Sequence, residues 1–287
     1  TNDCTLFSIN GSTIGNFTHY RFYDFRDVYA DDAAADSSSD DAIPQSRTIR
    51  DNTWMDQWSR RDQLKEAWND NIIDMEYNAR NIYIENSTED SGDYSTFLTL
   101  YTTRLADGSQ QAGEFDYVEA NVTYLSLRLL ARVSGSSGAV AGFFTYHNDT
   151  SETDIEVLTR DPTSAVHYSN QPTADDEDNI IAGATFNNSM PPGQPWDDWQ
   201  VHRLDWLPGQ SVWYVNGVQT GATRINVPDV AQMVILNMWS NGGSFAGRME
   251  VGGEAYLNVQ WLEMVYNTTD VETPGSDGDP TVCFIEE

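Results

Sequence analysis

The chain has 287 residues, with 45 Asp and Glu against 15 Lys and Arg, giving a net charge of −30 at pH 7. A field of that sign repels nucleic acid and anionic membrane surfaces at long range, leaves neutral or cationic partners, and keeps an extracellular protein soluble. At 39% hydrophobic and 12% aromatic residues the chain is too apolar for disorder, so a sizeable core is expected, with residues 1–287 read as one domain.

Cys4 and Cys283 are the only cysteines. A disulfide between them, tying the tail of 270–287 back to the N-terminus, is the simple reading; two unpaired thiols are the alternative. Closing so long a loop removes about 5 kcal/mol of unfolded-state freedom, and such a bond persists in an oxidising compartment. N-x-S/T sequons at Asn10, Asn16, Asn86, Asn121, Asn148, Asn187 and Asn267 point the same way, to a secreted, extracellular glycoprotein. The first residue is Thr1, no apolar signal core follows, and no stretch is apolar enough to span a membrane, so the sequence reads as a mature chain with no membrane partner.

The first strand is predicted at 20–28. The run of Asp, Ala and Ser at about 30–45 has no apolar period and reads as a surface loop. At 53–71, Trp54, Trp58 and Trp68 recur near helical spacing, which admits either a helix or an ordered loop carrying aromatic anchors. From about residue 94, short β-rich runs alternate with turn signals: 97–103, 122–133, 139–146, 152–159, 165–169, 200–206, 211–220, 233–240 and 256–266. That many strands with almost no helix predict an all-β sandwich. Asn216-Gly217 between two β-rich runs predicts a tight hairpin, since both residues tolerate positive φ.

The run Glu152-Thr153-Asp154-Ile155-Glu156-Val157 carries the chemistry. Period two puts the three carboxyls on one strand face and the more apolar residues on the other. A solvated acidic face is the bland reading, but Asp and Glu are poor strand formers and like charges repel. Retaining glycosidases need two carboxyls about 5–5.5 Å apart, one a nucleophile and one a protonated acid. The α-carbons of Glu152 and Glu156 stand about 13 Å apart on a flat strand, so their side chains must lean together over Asp154. Asp154 can share a proton with Glu152 or raise the pKa of Glu156.

Gly142-Phe-Phe-Thr-Tyr146 followed by Glu152-x-Asp154-Ile155-Glu156 resembles the active-site strand pair of glycoside hydrolase family sixteen, in its E-x-D-x-E branch of lichenases and xyloglucan transglycosylases. The resemblance runs from about residue 96 to 267. His202-Arg-Leu-Asp-Trp206 with Val212-Trp-Tyr-Val-Asn-Gly217 is similar to a hairpin segment of the family, and Val234-Ile-Leu-Asn237-Met-Trp239 to its N-x-W cleft strand. It implies a concanavalin A-like jelly-roll sandwich with a concave substrate cleft. It further implies Glu152 as nucleophile, Glu156 as acid/base and Asp154 as assisting carboxyl. Asn237, Trp239 and the Tyr168-Ser-Asn170 stretch are implied to bind substrate, and His167, at the start of that strand, is a weaker candidate. The family's Y-G-x-Y-E-x-R cleft segment is matched to Tyr124-Leu-Ser-Leu-Arg128-Leu-Leu130, which departs from it at the acid and the arginine.

No zinc motif, serine-hydrolase elbow or phosphate loop is present, so no cofactor and no catalytic metal are expected. A structural calcium ion on the outer face stays open, although no twelve-residue calcium loop is visible. The expected activity is endo-acting, retaining hydrolysis of a β-glucan polysaccharide by a monomer. The rivals are a cell-wall transglycosylase using the same residues, and a non-catalytic lectin on the same sandwich.

Overall fold

The computed structural model describes residues 4–9, 16–28, 56–89, 93–270 and 281–285. The acidic run at 30–45, Trp54, Asn10 and residues 271–280 of the tail lie outside them.

Alternating apolar and polar side chains fold most of the chain into two packed antiparallel sheets. The sheet that carries the acidic strand has the order β3 (Trp58–Arg60), β8 (Gln110–Tyr117), β17 (Met233–Trp239), β10 (Val140–Asn148), β11 (Ser151–Leu158), β12 (Ala165–Asn170) and β13 (Thr185–Ser189). The outer sheet is built on β9 (Val122–Gly135) and β18 (Glu254–Thr268), which pair along most of their lengths. It is extended by β14 (Gln200–Leu207), β15 (Gln210–Val215) and β16 (Val218–Thr223) on one side, and by β2 (His19–Asp24), β7 (Thr96–Arg104) and β6 (Ile82–Asn86) on the other. This is the expected all-β jelly-roll sandwich.

Between the sheets Phe143, Ile155, Val157, Leu236 and Met238 from one side meet Leu127, Leu129, Leu204, Leu257 and Met264 from the other, all essentially inaccessible to water. Each such side chain contributes about 1.5–3 kcal/mol of burial. Trp206 and Trp213 are fully buried, as packing residues should be. Trp196 and Trp199 also serve structure: their indole nitrogens donate to the Pro162 carbonyl at 3.1 Å and the Tyr94 hydroxyl at 2.9 Å.

Asn216 and Gly217 adopt φ of 47° and 75°, which turns the predicted 211–220 strand into the β15–β16 hairpin. No helix forms in the described part of 53–71. Trp58 is drawn into β3 by stacking on Phe115 at 4.7 Å, and residues 63–65 form a short strand, β4 (Gln63–Lys65), paired with β5 (Met75–Tyr77). Cross-strand partners thus override the near-helical tryptophan spacing. The chain ends meet: β1 (Leu6–Ile9) pairs parallel with β19 (Val282–Ile285), and Cys4 and Cys283 are joined with their α-carbons 5.7 Å apart.

Candidate active site

In β11 the inward residues Thr153, Ile155 and Val157 are at most 1% exposed, which fixes the register and leaves Glu152, Asp154 and Glu156 on the opposite face. Glu152 and Glu156 open into a cleft of about 440 Å³ that also takes in Phe144, Tyr146, Asn237 and Trp239. Asp154 lies between them, 2% exposed.

The ladder makes the site's cross-section legible. One row across the sheet runs His167, Glu156, Gly142, Asn237, Glu114. Gly142 is required there, since a Cβ would stand 2.6 Å from the Asn237 Oδ1. Asn237 Nδ2 donates to Glu114 Oε2 at 3.1 Å, while its Oδ1 is buried with no donor and is directed at the gap beside Gly142. Arg61 braces the far end of the row, 2.8 Å from Glu114 and 3.0 Å from Asp116. Asp116 is pushed up to about 6 by burial and by the neighbouring Glu114, against the pull of Arg61.

The three carboxyls of β11 share a dry, like-charged surface. Burial first, then the charge on Glu152, pushes Glu156 up to about 8. Asp154 is raised well above its ordinary value by burial, then by Glu152 and Glu156. Glu152 is also raised, by burial first and by the charges of Asp149 and Glu114, with a hydrogen bond from Asp154 and the charge of Lys65 acting against them. Asp154 Oδ2 is buried with no hydrogen-bond partner, while the bond between this carboxyl and Glu152 raises Asp154 and lowers Glu152, as a proton held on Asp154 and offered to Glu152 does. Glu156 therefore holds its proton near neutral pH, as the acid of a double displacement at a glycosidic bond must, beside Glu152, on which a hydrogen bond and a cation act downward.

The other expected substrate residues divide. Trp239 lines the cleft, packed on Met75, Tyr77 and Ala112. Tyr168 and Asn170 do not reach it. The register pairs them with Ile155 and Thr153, so both face the core: Tyr168 stacks on Trp213 at 5.0 Å, and Asn170 accepts from Ser211 Oγ at 3.1 Å. His167 shares the face of Glu156, but its Nε2 is engaged by Asp161 at 2.6 Å and its ring packs on Phe245, outside the cleft lining. The matched segment Tyr124–Leu130 belongs to β9 in the outer sheet, where Arg128 pairs with Glu263. The acid and the guanidinium of the cleft are instead Glu114 and Arg61.

The "Glycosyl hydrolases family 16" sequence model matches residues 64–261, a span that contains the whole of β11 and both tryptophan-bearing cleft walls. The chain belongs to that family. Among characterised relatives, this family 16 glycosidase is 25% identical to a beta-glucanase of Paenibacillus polymyxa over 178 residues, 59% of this chain and 71% of that protein. It is 27% identical to a beta-glucanase of Bacillus licheniformis over 112 residues, 37% and 42% of the two chains. Its fold matches the solved Bacillus licheniformis beta-glucanase with a TM-score of 0.57 at 19% identity, covering 76% of this chain and 95% of that one. It matches the endo-beta-1,3-glucanase of Pyrococcus furiosus with a TM-score of 0.60 at 13% identity, covering 92% and 99%.

Sequence reasoning missed two parts of the family 16 cleft. Strand β8 supplies Glu114, yet Gln110-Gln-Ala-Gly-Glu-Phe-Asp-Tyr117 has too few β-formers to read as a strand. The wall formed by Lys65, Trp68, Ile72 and Ile73 rests on long-range contacts: Ile73 N donates to the Asn241 carbonyl at 2.7 Å, and Gly242 and Gly243 leave room for the two isoleucines. The available signal was Trp68 inside the polar run Lys65-Glu-Ala-Trp68-Asn-Asp-Asn71, and the structure leaves that indole exposed on the cleft wall. Among the described residues no group of His, Cys, Asp and Glu is arranged to hold a metal ion.

Proposed function

We propose that this glycosidase is a secreted, monomeric endo-β-glucanase that cleaves internal 1,3-1,4 or 1,3 linkages with retention of configuration. The observation that carries the reading is the ladder Glu152, Asp154, Glu156 on one face of β11, with Glu152 and Glu156 opening into one cleft, Asp154 buried between them and Glu156 pushed up to about 8. The names of the relatives supply the substrate class. The Cys4–Cys283 bond and the exposed sequon residues Asn16, Asn86, Asn121, Asn148 and Asn187 support secretion as a glycoprotein. Asn267 is only partly exposed and its Oδ1 accepts from Thr18 N at 2.9 Å, so it is the poorest acceptor of the described set.

In the first step a Glu152 oxygen attacks the anomeric carbon as the bond to the leaving oxygen breaks, and Glu156 gives that oxygen its proton. In the second step a water attacks the same carbon, Glu156 takes the water's proton, and the Glu152 carboxylate leaves. Asp154 holds its proton toward Glu152 and follows the charge on that oxygen through the cycle. Asn237, with one free acceptor beside Glu156, is placed to receive a sugar hydroxyl.

The sign of the pH dependence follows. Glu156 must be protonated, so kcat/KM falls as pH rises through about 8. Glu152 must be ionised, so kcat/KM also falls on the acid side. Reducing-end release from barley mixed-linkage glucan, laminarin, xyloglucan and chitin oligomers, with Glu152→Gln alongside, tests the reading. Release by wild type alone from either of the first two supports it. Saturable binding to those glucans without new reducing ends would instead establish a lectin, and transfer to an added acceptor oligosaccharide would establish a transglycosylase.

A further inference from the structure

Lys65 is the only lysine of the chain. It closes β4, is exposed, and lines the same cleft as Glu152 and Glu156. The other cation of the cleft, Arg61, is spoken for by Glu114 at 2.8 Å and Asp116 at 3.0 Å. No hydrogen bond or ion pair with a described residue engages the Lys65 ammonium. In a protein of charge −30, whose cleft also holds Glu66 and Asp149, an unengaged cation beside the reacting carboxyls is a conspicuous placement.

Glu152 and Glu156 sit on the same face of one strand with Asp154 between them, and the hydrogen bond of Asp154 to Glu152 already sets the two apart. A charge on the cleft wall is the second device that can do so. The groups that face or act on Glu152 are Asp154 and Glu156 from its own strand, Tyr146 across the ladder on β10, Asp149 in the β10–β11 turn, Glu114 on β8 and Lys65 on β4. Of these only Lys65 is positive.

We propose that Lys65 is a positioning residue for catalysis: its ammonium, on the cleft wall, makes Glu152 the ionised glutamate of the pair and so assigns the nucleophile and acid roles. This rests on the glucanase reading above, with Glu152 as nucleophile. Consistently, burial raises Glu152 while the hydrogen bond with Asp154 and then Lys65 act downward on it against Asp149 and Glu114, whereas burial and Glu152 both push Glu156 upward with no described residue acting against them. Being exposed, the ammonium acts through partly screened space, so its influence weakens with salt.

The test is the pH dependence of kcat/KM for wild type, Lys65→Met and Lys65→Arg on the glucan that wild type cleaves, in low salt and in about 1 M NaCl. Lys65→Met is expected to move the acid limb up by about half a unit to one unit, which lowers kcat/KM about three- to tenfold on that side and leaves the alkaline limb in place. Lys65→Arg restores the limb, and wild type in high salt approaches the Met variant. Because no second lysine exists, acetylating the side chain should reproduce Lys65→Met, while reductive methylation, which keeps the charge, should not. A wall residue with a merely structural role would lower activity evenly across pH. An active wild type whose acid limb is unmoved in Lys65→Met overturns the inference and leaves the glucanase reading standing. A wild type inactive on every β-glucan removes that reading and this inference with it.

Discussion

The outer sheet and strand β11 of the cleft sheet treat buried charge in opposite ways. On the outer sheet each buried carboxylate has a guanidinium: Arg203 grips Asp205 through two contacts of 2.7 Å with both side chains 3% exposed, Ser126 adds a third bond to Asp205 at 2.6 Å, and Arg128 pairs with Glu263. On the cleft sheet Glu152, Asp154 and Glu156 are stacked together without one arginine among them. A paired charge is compensated at every pH at which both partners are ionised. Stacked carboxyls can relieve their repulsion only by keeping protons, and groups that hold protons near neutral pH are the ones able to pass them on. The like-charge conflict left without a cation among its members lies on one strand face; Glu114 and Asp116 on β8 also oppose each other, but Arg61 holds both.

The comparison breaks most visibly at the carboxyls. Glu152→Gln and Glu156→Gln are each expected to lower kcat about 10³-fold or more while folding normally, checked by turnover beside circular dichroism. Azide added to the alanine variants separates the roles: an α-glycosyl azide from Glu152→Ala and a β-glycosyl azide from Glu156→Ala. The opposite pattern would exchange the assignments.

On the outer sheet the expected loss is of stability. Arg203→Met leaves Asp205 buried without its countercharge and should cost about 3–5 kcal/mol in urea unfolding, with activity per folded molecule retained. Pairing it with Asp205→Leu should recover most of the loss, because it removes the stranded charge as well.

A smaller effect has the opposite sign. The folded-state pKa of Glu156, about 8, stands above its ordinary value of 4.5, so the native state binds this proton more tightly than the unfolded chain does. That contribution is complete below about 4.5 and is lost as pH rises through 8, where the ionised side chain opposes folding. Glu156→Gln should therefore match wild type in stability at acid pH and exceed it by about 1–2 kcal/mol at alkaline pH, measured by denaturant titration at both ends. The gain would mark the stability that this position gives up for chemistry. Smallest is Trp68→Ala on the cleft wall, expected to raise KM about fivefold with little change in kcat, as loss of a stacking surface for sugar rings would do.

Much of this was legible in the sequence where a local period dictates the outcome. Alternation at 152–157 placed the acid ladder, and Asn216-Gly217 placed a hairpin, because each signal is contained within a few residues. Tyr168 and Asn170 failed by parity: in a strand an error of one residue exchanges faces, and a matched tripeptide does not say which of its members points inward. Glu114 escaped because the cleft face of β8 is polar and its core face includes Gly113, so neither face shows a clear apolar period. The pairing of Glu114 with Arg61, 53 positions away, is a property of the ladder and has no local trace.

The joined ends have a consequence of a different kind. With Cys4 bonded to Cys283, 279 positions apart, the intervening chain is a covalent ring. A protease that cuts one loop opens the ring without releasing a fragment, so a nicked molecule runs as one band until it is reduced and as two afterwards. Two cuts are needed before any strand within the ring can leave the sandwich, a form of damage tolerance against proteolysis.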